Sequence, residues 1–142
     1  MVYGAKNKIL YFNGKSMDYA MFGYGEESLL IIPGLGDGIA TVKGMAQTLS
    51  LSYRTLARRY KVYVFSRIYE LPEKYSTKEM AADIAEAMEV LNISQVNVLG
   101  VSQGGMIAQY LALDFPDKIQ KLILAVTTGS MNALSKKELN IG

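Results

Sequence analysis

Four short apolar runs, each ended by a proline, a glycine or polar residues, most narrow how this chain can fold. They are "LLII" (Leu29 to Ile32, stopped by Pro33), "KVYVFSR", "VNVLG" and "KLILAVTT". A continuous run, unlike an alternating one, marks a strand covered on both faces, and such strands belong to parallel sheets joined by helical crossovers. The segments between the runs carry that helical signal. From Val42 to Tyr60 the apolar positions Met45, Leu49, Leu56 and Tyr60 fit one face, with Ser50, Ser52 and Tyr53 weakening its continuity. Ser76 with Glu79 three residues on forms a capping box, followed by Met80, Ile84, Met88 and Leu91 on one helical face. A third helix is expected from Gly104 to Leu113, halted before Pro116.

Ahead of these lies "KILYFNGKSMDYAMFG", where Asn13-Gly14 separates two strand-like runs and signals a hairpin, since both central residues of a type I′ turn need positive φ. The expected fold class is therefore α/β: an N-terminal β-hairpin, then a mostly parallel sheet with crossover helices. No repeat, low-complexity tract or linker divides residues 1–128. The remainder, 129–142, reads as the start of a cap or linker segment, with Leu134 and Leu139 suited to an amphipathic helix.

Composition removes several functions. A net charge of +2 over 142 residues is too small for a nucleic-acid partner, and the one basic cluster, Arg54, Arg58, Arg59 and Lys61, suits a solvated helix face running into a strand. Cys and His are both absent, which excludes disulfides and thiolate chemistry and leaves a metal site only carboxylates. No metal and no cofactor are expected. No apolar run approaches the ~20 residues of a membrane span, and the first residues lack a secretory pattern, so a cytoplasmic protein without a membrane partner is expected.

The segment "VNVLGVSQGGMIAQY" carries chemistry. Gly100-Val101-Ser102-Gln103-Gly104 is a G-x-S-x-G placed where an expected strand gives way to an expected helix. A side chain on such a tight bend is thrust out at the sheet's carboxyl edge, and a Cβ two residues to either side would strike the neighbouring strand or helix, hence glycine at both flanks. The bend also aims the helix-opening N–H groups, starting with Gln103, at the space above Ser102, where an oxyanion can be held. A P-loop does not fit, because its Lys-Ser/Thr ending is missing. Pro33-Gly34-Leu35-Gly36-Asp37-Gly38 leaves a buried strand with three glycines. Alone it suits a plain tight turn; together with Ser102 it suits the second half of an oxyanion hole.

"LLIIPGLGDG" followed by "VNVLGVSQGGMIAQYLALDFPDKIQKLILA" resembles the N-terminal half of an α/β-hydrolase-fold serine hydrolase, a partial fold lacking the C-terminal strands. The resemblance implies Ser102 as nucleophile, with the backbone N–H groups of Gln103 and Leu35 as oxyanion hole, and an acyl-enzyme mechanism on an ester, thioester, lactone or small amide. Two departures stand out. Pro33 sits where the family often has a histidine, a residue other than the catalytic base. The family's acid and histidine, which follow the nucleophile in chain order, are missing, and there is no histidine at all. Lys118, Lys121 and Lys136 carry no sign of burial that would make one a base, and Asp114 and Asp117 suit a helix end and turn flanking Pro116.

Two functions follow. The chain is the front portion of a larger serine hydrolase, inactive alone, or it is a non-catalytic binding protein on a truncated hydrolase scaffold. A small-molecule ester or amide is the expected partner. An open edge on the last strand is expected to invite self-association.

Overall fold

The computed structural model describes residues 2–34, 41–125 and 136–140. Strands β1 (Lys6–Phe12) and β2 (Lys15–Phe22) form the hairpin, closed by the Phe12–Lys15 pair. Asn13 (φ 46°) and Gly14 (φ 75°) are both left-handed, as the turn between twisted strands requires. The apolar runs become β3 (Glu27–Ile32), β4 (Tyr60–Ile68), β5 (Val96–Val101) and β6 (Ile119–Ala125). They run parallel in the spatial order β4-β3-β5-β6, and β2 joins antiparallel to the outer side of β4.

Both faces of this sheet are covered, and the side chains of β3 divide between them with the period of two that a strand imposes. Leu30 and Ile32 enter one core with α3 (Thr77–Val90) and α4 (Gln103–Asp114). Leu29 and Ile31 enter the other with Ala46 of α1 (Ala46–Ser52) and Ala57 of α2 (Arg54–Ala57). In α4, Ile107 and Leu111 are both 0 % exposed. Each such burial contributes about 1.5–3 kcal/mol relative to exposure, so the sheet holds this helix far more firmly than its glycine-rich opening would suggest. Helix α3 starts where expected: Ser76 Oγ accepts from the Glu79 N–H at 3.1 Å, and Glu79 Oε1 accepts from the Ser76 N–H at 3.2 Å.

Two expectations need correction. The helix expected from Val42 to Tyr60 begins only at Ala46, whose N–H donates to Asn7 Oδ1 (2.9 Å), and it breaks at Tyr53 (φ −108°, ψ 30°). The buried Ser50 hydroxyl donates back to the Gln47 carbonyl at 2.7 Å, a contact that competes with the helical ladder and bends it. The described part of the tail is not helical either. Lys136–Asn140 forms β7, antiparallel to β6 from Lys121–Asn140 to Ala125–Lys136, so the edge of β6 expected to be open is paired. Unpaired backbone groups along β6 are a stronger local demand than the weak amphipathic spacing, and a short return can only satisfy them antiparallel. Leu134 and the boundary at residue 128 lie outside the described residues. Among the described residues, no helix is long and apolar enough to cross a membrane.

Candidate active site

Ser102 lies between the last residue of β5 and the first of α4, with φ 56° and ψ −121°. That conformation is uncommon for a residue with a Cβ and persists only where the surroundings enforce it. They do so on both sides: the Ser102 N–H donates to the Ala125 carbonyl of β6, and the Ser102 carbonyl accepts from the Gly105 N–H, each at 2.8 Å. The side chain is exposed, and among the described residues its hydroxyl has no hydrogen-bond partner.

The flanking glycines are required by contact distances. A Cβ on Gly100 would stand 2.7 Å from both the Gly104 carbonyl oxygen and Gly105 Cα, inside α4. A Cβ on Gly104 would stand 1.9 Å from the Ile32 carbonyl oxygen of β3. Helix and strands thus meet backbone to backbone around the bend, as the motif predicts. Gly105 is different, its nearest Cβ neighbour being 3.6 Å away.

A second wall comes from the end of β3. A Cβ on Gly34 would lie 2.9 Å from Ser102 Cβ and from the Val101 carbonyl oxygen, and 3.5 Å from the Gln103 nitrogen. Bare backbone at Gly34 therefore lies against the bend, beside the Gln103 N–H, which has no acceptor within its own helix at this first position. Leu35, expected to supply the other amide, lies outside the described residues.

Arg67, at the carboxyl end of β4, was not singled out from sequence. It is 7 % exposed, and its Nη2 donates to the Pro33 carbonyl (2.6 Å) and to Gln103 Oε1 (3.2 Å), while Nη1 donates to the Ser66 carbonyl (3.4 Å). Its Nε is buried with no hydrogen-bond partner among the described residues. Among the described residues no carboxylate pairs with it. Burial pushes the guanidinium down to about 10, which leaves it cationic near neutral pH. The available signal was a charge closing an otherwise apolar strand, "VYVFSR".

Other buried polar groups form clusters of their own. Buried Asp18 accepts from the Thr41 and Tyr69 hydroxyls, and Ser66 Oγ donates to Thr41 Oγ1 at 3.2 Å. Buried Asp83 accepts from Lys15 Nζ (2.9 Å) and from the Tyr75 hydroxyl (2.6 Å). Among the described residues neither cluster hydrogen-bonds to Ser102, and no group of three or more acidic residues converges as a metal site would need. Asp114 faces Lys78 at 3.9 Å and Asp117 lies in the 3₁₀ turn Pro116–Lys118, both in the structural roles their spacing suggested. Lys118 pairs with Glu89 at 3.1 Å. Arg59 stacks over the Tyr60 ring at 5.4 Å and Arg54 donates to the Leu51 carbonyl, as suits a solvated basic face.

Comparison with known proteins identifies the family and the fold. A family model described as alpha/beta hydrolase fold matches residues 27–142. RutD of Caulobacter vibrioides is 29% identical over 106 residues, covering 70% of this chain and 37% of that protein. The serine hydrolase BPHL of Mus musculus is 32% identical over 116 residues, covering 79% of this chain and 40% of that protein. A hydrolase structure from Pseudomonas aeruginosa PA01 superposes with a TM-score of 0.71 at 25% identity, over 86% of this chain and 46% of that one. The chain therefore spans less than half the length of each of these relatives.

Proposed function

Since the chain belongs to the alpha/beta hydrolase fold family, we propose that it bears the nucleophile of a serine hydrolase, with Ser102 as the attacking residue. The carrying observation is the exposed serine held at φ 56° between bare glycine backbone and a helix N-terminus. In the reaction, Ser102 Oγ adds to the carbonyl carbon of an ester, thioester, lactone or small amide, and the hydroxyl proton passes to a base. The carbonyl oxygen becomes an oxyanion, held by the Gln103 N–H, the partial positive charge at the start of α4 and the Leu35 N–H. Expulsion of the alcohol, thiol or amine leaves an acyl group on Ser102, which water then removes. No cofactor takes part.

Residues 1–142 contain no histidine to serve as that base. Most of the acceleration from paired serine and base is then missing, while binding and oxyanion stabilisation persist. The same absence favours a second reading, a protein that binds a small acyl compound on this scaffold without cleaving it. Intact-mass analysis after incubation of the 142-residue chain with an activated p-nitrophenyl acyl ester separates the two. The nucleophile assignment predicts slow acylation at Ser102, abolished in Ser102→Ala, with little further turnover. A label on lysine or tyrosine, unchanged by Ser102→Ala, would overturn it and leave binding alone.

A further inference from the structure

We propose that Arg67 is a positioning residue that clamps the end of β3 to the Ser102 bend through a single guanidinium nitrogen shared by the Pro33 carbonyl and the Gln103 side chain. The proposal deepens the assignment of Ser102 as nucleophile and rests on it. Its geometry is specific: Nη2 reaches Pro33 O at 2.6 Å and Gln103 Oε1 at 3.2 Å, from a strand that is covalently remote from both.

Two orientations follow from this contact. A guanidinium only donates, so Gln103 must turn its amide oxygen toward Arg67, and the Nε2 donor then faces away from it. A trans peptide places its C=O and N–H on opposite sides, so holding the Pro33 carbonyl on Arg67 turns the Gly34 N–H away from the guanidinium. The direction in which the chain leaves β3 is fixed by the same bond. Arg67 also brings a positive charge, unbalanced by any carboxylate among the described residues, to the Pro33 and Gln103 groups that flank the bend.

The energetics argue against a role in stability. A buried charge with no carboxylate partner and an unsatisfied Nε among the described residues is a cost to the folded state that an apolar side chain of similar length would remove. Its contribution lies instead in fixing groups beside Ser102. Lysine, a point charge with a narrower reach, reproduces this only in part.

The test uses the 142-residue chain and 4-fluorophenylboronic acid. Boron gains a bond to Ser102 Oγ, the hydroxyl proton passes to buffer, and a tetrahedral borate anion forms with no change of oxidation state. Fluorine NMR should show an adduct that Ser102→Ala abolishes. Arg67→Met should weaken it by roughly 10- to 100-fold, the scale of misplaced site groups, with a melting temperature equal to or above wild type. Arg67→Lys should fall between the two and also stands in if Arg67→Met does not fold. Unchanged adduct affinity in both variants, or a loss of affinity matched by a loss of melting temperature, would overturn the clamp. Absence of a Ser102-dependent adduct in the wild type would instead end the nucleophile assignment. The clamp is then decided by amide NMR: Arg67→Met should shift the Gly34 amide and the Gln103 side-chain amide while leaving Asn13 and Gly14 in place, and no shift at the first pair refutes it.

Discussion

At residue 102 a side chain is kept where glycine would be more comfortable. A positive φ with ψ −121° is a position glycine adopts without penalty and serine occupies at a cost of about 1–3 kcal/mol. Ser102→Gly is therefore expected to raise the unfolding free energy by roughly 1 kcal/mol, seen as a higher urea midpoint, while removing acylation at this site. A lowered midpoint would mean that the serine side chain supports the bend. The neighbouring glycines divide sharply. Gly104→Ala must force a Cβ to within 1.9 Å of the Ile32 carbonyl oxygen and should abolish cooperative unfolding, whereas Gly105→Ala meets nothing closer than 3.6 Å and should stabilise by roughly 0.5–1 kcal/mol. Thermal melts of the two variants check both. This part of the site was legible in sequence because its sterics act two residues away along the chain and write themselves as glycine. Arg67 was not, because Pro33 and Gln103 come to it from other strands and helices, and nothing local announces them.

Among the elements, α3 is tied to the hairpin by a small polar cluster rather than by apolar contact alone. Lys15 of β2 and the Tyr75 hydroxyl both donate to buried Asp83. The hydrogen bond to Asp83 holds Lys15 above its usual range; burial, then the same carboxylate, pushes Tyr75 well up. Both groups keep their protons to higher pH when folded than when unfolded. Their contribution is full below about pH 10 and is lost as pH climbs through the folded values. Arg67, lowered to about 10, titrates in the opposite sense, so the informative quantity is a difference. The stability gap between wild type and Tyr75→Phe should narrow between neutral pH and about pH 11 in urea titrations; a constant gap would dissociate Tyr75 from Asp83. The capping box at Ser76 and the Asn13-Gly14 turn were readable because each is a local pattern of a few residues. The interruption at Tyr53 was only hinted at by its serines, since the back-bond from Ser50 depends on that residue being buried by another element.

Over the whole molecule, the sheet ends in β1 on one side and β7 on the other. The parallel core was evident from its apolar runs, whereas β7, with the sequence Lys136-Lys137-Glu138-Leu139-Asn140, has no strand-like alternation and is placed by the edge it satisfies. A charge-rich outer strand is a common guard against edge-to-edge pairing. Removal of residues 136–142 should therefore uncover β6 and produce concentration-dependent dimers in light scattering, while a strictly monomeric product would show that β6 needs no cover. The spatial order also bears on how the chain acquires its structure. Because β3 is flanked by β4 and β5, Leu29 finds Asn97 only after the intervening chain exists, while the hairpin closes from neighbouring residues. The contact of Gly34 with Ser102 joins the ends of β3 and β5, so a chain in which those two strands had not yet paired would lack this corner altogether.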